Sequence, residues 1–361
     1  MNHWAMTSLA ALCAVASPAQ AAPWKHKYSK LQIPDQVTDL KLTNVKDAEN
    51  NGLDVIVNFG SAEGGESTTI YVFRKTSGDV PVWFDRAAAL IVVRPEFGRV
   101  TATTQPTSFI PPGQATATGL KQVFSTAGGE WKSTAVALIQ MGGWYVKLRL
   151  SSTTRTPDEL AVRLEQTLVS LKWPTKLAAG PVATPITACT TPLSFAAEAA
   201  LAPADPSAGL MAAVLASGAG AAAAGAANAN VKVKGRIVLE KPGVWCRDSA
   251  IVGDGDQSSL VAVYRNDSQT DGYLLALGDS GRAISIGRNS LAAILAEEGK
   301  VTAPTWTPSL ILLDRTIVYR DFASLAPPIQ LLAVADKGKV LATARTFGDK
   351  TAITISSDAF Q

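Results

Sequence analysis

GGWYVKLRLSSTTRTPDELAVRLEQTLVSLKWP, residues 142–174, sets the clearest strand of this 361-residue chain beside its clearest helix. From Trp144 the side chains alternate, with Trp144, Val146, Leu148 and Leu150 on one face and Tyr145, Lys147, Arg149 and Ser151 on the other. A period of two with one apolar face predicts a half-buried strand whose second face is wet. Thr156-Pro157-Asp158-Glu159 then predicts a helix start. The Thr hydroxyl and the Glu carboxylate each satisfy an orphan backbone N–H, and proline suits the first helical position. Leu160, Leu164, Leu168 and Leu171 make one apolar stripe, and Trp173-Pro174 stops the helix.

Outward from there, 117–126 and 131–140 read as strands joined by Ala127-Gly128-Gly129-Glu130 and Gly142-Gly143 turns. Asp54–Phe59 and Thr69–Arg74 add two more. Residues 80–93 form a helix punctuated by Pro81 and Pro95. Beyond residue 230, strands at Tyr273–Leu277 and Arg282–Ile286 flank a Gly278-Asp279-Ser280-Gly281 hairpin turn. A helix is expected from Asn289 through Leu291, Ile294 and Leu295 to Gly299, followed by strands at 329–335, 340–346 and 351–356.

Charge divides the chain. Residues 22–176 carry 18 basic and 14 acidic side chains and 231–361 carry 15 and 14, while 177–230 carry only Glu198 and Asp205. The expectation is an α+β protein of two domains. Residues 22–175 form an antiparallel sheet with helices on both faces, and are long enough to fold alone. Residues 231–361 form a strand-rich meander with one clear helix. The joint, 176–230, is Pro-rich and then Ala/Gly-rich, and is tied to the second domain.

Five stretches in the first domain carry a resemblance: KLQIP at 30–34, STTIYVFR at 67–74, PVWFDRAAALI at 81–91, GGWYVKLRLSS at 142–152 and LVSLKWP at 168–174. Residues 24–175 resemble the PsbP-like fold of small exported proteins. That resemblance implies an antiparallel sheet covered by helices on both faces. It also implies a binding or assembly factor rather than an enzyme, with no catalytic set to carry over.

Residues 1–21 contain no charged side chain and end in Ala19-Gln20-Ala21, a small-x-small cleavage pattern after an apolar stretch too short to span a bilayer. They read as a signal peptide, which places the protein in the periplasm or outside the cell after cleavage near Ala21. Cleavage removes Cys13 and leaves Cys189 and Cys246, an even pair expected to form a disulfide in an oxidising compartment. With 33 basic against 30 acidic residues, no concentrated basic field suggests a nucleic-acid partner. The run 207–230 is free of charge, but 12 of its 24 residues are Ala and 4 are Gly, so it gains little on transfer to lipid and membrane association is not expected.

No catalytic, cofactor or metal set emerges. Of two histidines only His26 follows the cleavage site, so Ser280 in the Gly278–Gly281 turn lacks an expected base. Asp254-Gly255-Asp256 and the group Asp267, Gln269, Asp271 and Gly272 resemble half of a calcium loop, without the Glu at its twelfth position. Trp83, Phe84, Trp131, Trp144 and Tyr145 suit a core more than a pocket. The polar face Tyr145, Lys147 and Arg149 is the candidate binding surface for an anionic partner. The reading is an exported, non-enzymatic binding or scaffold protein of the cell envelope, whose partner is an unidentified protein or small molecule. Two others stay open: a hydrolase that uses paired carboxylates without histidine, and a membrane-tethered structural protein that uses residues 207–230.

Overall fold

In the computed structural model, which describes residues 23–175, 177, 180–203, 244–250, 261–289, 303–348 and 352–356, the segment quoted first forms the expected strand and helix. The expected signal peptide, the Ala/Gly run, Asp254–Asp256 and the helix expected after Asn289 lie outside these residues.

The first sheet is antiparallel and nine-stranded. Its path is β3 (Gln36–Val37), β4 (Leu40–Asp47), β5 (Asp54–Gly60), β6 (Glu66–Arg74), β11 (Trp144–Ser152), β10 (Ser133–Met141), β9 (Gly119–Gly128) and β7 (Gly98–Ala102), with β8 (Thr107–Phe109) also on β9. A short hairpin of β1 (Trp24–Lys25) and β2 (Gln32–Ile33) precedes it. The second sheet also has nine strands, in chain order. They are β12 (Thr187–Ala188), β13 (Trp245–Arg247), β14 (Val261–Asn266), β15 (Gly272–Leu277), β16 (Arg282–Arg288), β17 (Trp306–Ile311), β18 (Arg315–Tyr319), β19 (Val340–Arg345) and β20 (Ile353–Ile355). All its pairings are antiparallel except β12 with β13. The three helices are α1 (Val80–Val92), α2 (Pro157–Ser170) and α3 (Pro328–Lys337).

Helix α2 begins with the capping box read from Thr156 and Glu159. Its Leu160, Leu164 and Leu168, with Leu171 just beyond, pack on Val146, Leu148 and Leu150 of β11 and Ala135, Ala137 and Ile139 of β10. Each leucine is essentially inaccessible, so truncating one to Ala costs about 2–5 kcal/mol. The opposite face of β10 and β11 presents Val136, Leu138 and Tyr145 to Val80, Trp83, Phe84 and Ala87 of α1. The same cluster then continues into Tyr264, Leu274, Ala276 and Ala283 of the second sheet. The far side of that sheet packs Leu275, Ile284 and Ile286 against Leu331 of α3.

The expected α+β class is therefore corrected: the protein is mainly β, with three helices against twenty strands among the described residues. The first sheet is not covered by helices on both faces as a domain of its own. Helix α1 is a single wedge between two sheets, and the second sheet completes the cover. Strand β11 has no wet face either, because Tyr145 and Lys147 are as buried as Leu148. The strand expected at Ile329–Ala335 is helix α3. A short apolar run does not distinguish strand from helix by period. Here Pro328 at the first turn and Leu331, packed beneath, favour the helix.

The shared core bears on whether residues 22–175 stand alone. A chain ending at Thr175 leaves Phe73, Trp83 and Phe84 without the second sheet. It is expected to bind a hydrophobic dye and to unfold without a sharp transition. A monomeric, cooperative, dye-free fragment would show that α1 suffices as cover.

Candidate functional site

The polar face of β11 does meet an anion, but one from its own chain. The Gly278–Gly281 turn between β15 and β16 lies on this face. Lys147 Nζ is 2.7 Å from Asp279 Oδ2 and donates to the Asp279 carbonyl at 3.1 Å. The ammonium also sits over the rings of Tyr71 and Phe73. Thr76 donates to the Gly281 carbonyl, and Arg86 Nε to the Gly278 carbonyl at 3.3 Å. At the exit of the turn Arg282 reaches back to Asp54 at 2.9 Å and Glu49 at 2.6 Å. Burial alone would raise the Asp279 carboxyl, but Lys147 and then Arg149 hold it below its ordinary value. Burial pushes the Tyr145 phenol well up, and its hydroxyl donates to the Gly78 carbonyl at 2.9 Å. Arg149 packs over the Phe97 ring and lies 3.8 Å from Glu96. Lys147 is thus committed to holding the two sheets together, while Tyr145 and Arg149 are engaged by Gly78, Phe97 and Glu96. The Ser280 hydroxyl accepts from Arg282 at 2.7 Å instead of facing a base.

Cys189 and Cys246 form the disulfide, which anchors β12 beside β13. Asp267 lies next to it and accepts from the Thr190 amide and hydroxyl. With each sulfur bonded to the other, this trio offers no thiolate to a metal. The turn from Asp267 to Gly272 is filled by the chain's own cation: Arg265 donates to the carbonyls of Asp267 at 2.7 Å and Gln269 at 2.9 Å.

Ser29 Oγ lies 2.8 Å from His26 Nδ1, a nucleophile–base contact that sequence reading did not single out. Its geometry is that of a turn. Nδ1 accepts from the Ser29 amide at 3.0 Å, Nε2 donates to the Gly52 carbonyl at 3.0 Å, and Ser29 Oγ accepts from the Leu31 amide. The Nδ1 lone pair a base would use is occupied, and a carbonyl stands where a triad has a carboxylate.

The groove that remains opens where two parallel strands part. β12 and β13 pair only at Thr187–Cys246 and Ala188–Arg247. On the N-terminal side of those pairs, Pro181–Thr184 and Val244–Trp245 diverge around about 240 Å³, with Asp79, Val80 and Pro81 of the α1 start between them. Trp245 Nε1 donates to Asp79 Oδ2 at 3.0 Å, and Lys75 holds Asp79 Oδ1 at 2.9 Å. Val182 and Val244 stand at the lips, 60% and 68% exposed. Ala183 turns its amide to the Ala117 carbonyl at 2.8 Å and its own carbonyl to Ser108. Neighbouring residues of an extended chain direct these groups oppositely. Pro185 holds Thr184 extended. The main-chain groups of Val182 and Thr184 have no hydrogen-bond partner among the described residues. Sequence reading missed this site; its trace is the Pro181-Val182-Ala183-Thr184-Pro185 run, too polar-poor for a loop and too proline-bound for a paired strand.

Two measurements follow from the buried charges. Asp279→Ala leaves the Lys147 ammonium unpaired and is expected to cost about 3 kcal/mol in denaturant unfolding, most of it regained in the Asp279→Ala/Lys147→Met double variant. Burial lowers the His26 pKa below 6.5. The unfolded chain therefore binds the proton first, so the His26 contribution is complete above pH 6.5 and is lost as pH falls through the folded value. His26→Gln should flatten that part of the stability profile.

Comparison with protein-family models yields no match to the chain, and comparison with curated proteins yields none.

Proposed function

We propose that the protein is an exported, non-enzymatic binding or scaffold protein of the cell envelope that receives an extended, largely apolar peptide segment in the groove between Pro181–Thr184 and Val244–Trp245. The observation that carries this reading is the pair of unpartnered main-chain positions, Val182 and Thr184, beside two exposed valines. Main-chain donors and acceptors at an open edge supply affinity for any strand, and the flanking apolar side chains select what docks. Asp79 is the one carboxylate lining the groove, and Lys75 and Trp245 already occupy both its oxygens. Hydrolysis by paired carboxylates needs two of them roughly 5–10 Å apart. The disulfide supports an oxidising compartment. No described helix is long and apolar enough to cross a membrane.

Titration with a Val/Ile-rich extended peptide should change Trp245 fluorescence. Val182→Pro removes one main-chain donor and should weaken binding about tenfold, the equivalent of 1.4 kcal/mol. Val244→Asp should weaken it further. Absence of peptide binding together with turnover of any substrate would overturn the reading.

A further inference from the structure

The sequence Trp24-Lys25-His26-Lys27-Tyr28-Ser29-Lys30 is folded so that its lysines collect on one surface. His26 is buried and tied to Gly52, which fixes the segment, while Lys25, Lys27 and Lys30 are exposed. Lys30 has a φ of 64°, and its Nζ donates to the Lys27 carbonyl at 3.0 Å, so both ammonium groups share one tight turn. Lys25 pairs with Gln32 in the β1–β2 register, and Gln32 bridges Lys172 beyond α2. Cross-strand neighbours lie about 5 Å apart, which adds exposed Lys172 to the same row. None of the four lysines has a carboxylate partner among the described residues, whereas Lys75, Lys121 and Lys147 are all paired.

Aromatic rings lie between the lysines. Trp24, Trp144 and Trp173 are partly buried against the first core, Tyr28 runs parallel to Trp144 at 5.8 Å, and Phe347 meets Tyr28 and Trp144 edge-on. Lys27 rests 4.9 Å over the Tyr28 ring. We propose that this surface, Lys25, Lys27, Lys30 and Lys172 around Tyr28 and Trp144, binds an acidic polysaccharide. The lysines take the carboxylate, phosphate or sulfate groups. The partly exposed rings of Trp24 and Trp173, beside Lys25 and Lys172, take the C–H edges of the sugars, as aromatic faces take other positive edges. A bilayer is the weaker fit, because all four rings are only partly exposed and none projects as a wedge. A nucleic acid would draw on a wider basic field than a net charge of +3 supplies.

Affinity electrophoresis of the full chain tests this with alginate and dextran sulfate as probes and neutral dextran as the control. Retardation by both acidic polymers, suppressed by salt and absent with dextran, is expected. K25Q/K27Q/K30Q/K172Q should lose at least tenfold in affinity with an unchanged melting curve, while K337Q/K339Q at the end of α3 and just beyond it should bind as the parent does. Failure of either acidic polymer to retard the chain, or full binding by the quadruple variant, would overturn the proposal. So would equally tight lysine-dependent binding to phosphatidylglycerol vesicles or single-stranded DNA. Peptide binding in the groove is read separately and does not depend on these lysines.

Discussion

A charge taken out of water between two sheets is the constraint from which much of this structure follows. Lys147 lies in the middle of β11, where a buried ammonium without a partner would be costly. Asp279 reaches it from the tip of a four-residue turn, so that turn must arrive at one place and in one orientation. The neighbouring contacts obey the same requirement: Thr76 and Arg86 hold the turn's carbonyls, and Arg282 clasps Asp54 and Glu49 at its edge. Apolar packing around α1 would tolerate small slides of one sheet over the other. The ion pair does not, because its strength depends on distance in a medium of low dielectric.

Close approach between the layers needs small residues where they meet. Gly281 has a φ of 85°, and a Cβ there would meet the Arg74 carbonyl and the Leu313 side chain, each at 3.3 Å. Ala276 and Ala283 sit opposite Trp83 and Phe84 in the same core, small against large. Arg74 closes the contact from below. Its guanidinium donates to the carbonyls of Leu313 and Thr346, each at 2.6 Å, and burial pulls its pKa down to about 10. With the Thr346 hydroxyl at 3.0 Å and the Phe347 ring beneath it, this buried cation is satisfied only while the segments flanking β18 and β19 stay beside β6.

Local signals were legible and long-range ones were not. Thr156 and Glu159 announce α2 because both halves of a capping box lie within one turn. The Cys189–Cys246 bond followed from counting thiols. Alternation on β11 was read correctly as a strand and wrongly as a wet face, since an ionisable residue buried against a distant turn looks the same in sequence as a solvated one. The run at Ile329–Ala335 has β-branched and apolar residues enough for a strand, and its helix follows from Pro328 at the first turn together with the sheet beneath Leu331. Beyond the Pro181–Pro185 run the groove left no readable pattern: its walls are 60 residues apart, and its chemistry lies in main-chain groups that no side-chain pattern reports.

The disulfide connects these levels. Beside it, β12 pairs with β13 at only two positions, and the Cys189 amide and Thr190 add bonds to the Arg247 carbonyl and to Asp267. Closing a loop of 57 residues' separation removes about 4 kcal/mol of freedom from the unfolded chain in the loop-entropy model. Its local effect matters more for binding. Cys189 and Cys246 tie the far end of the short β12–β13 ladder, whose other end opens into the groove between Pro181–Thr184 and Val244–Trp245. A site held open in advance spends less of its binding energy on ordering its own walls. That is the physical advantage of placing the bond five residues beyond Thr184 and one beyond Trp245.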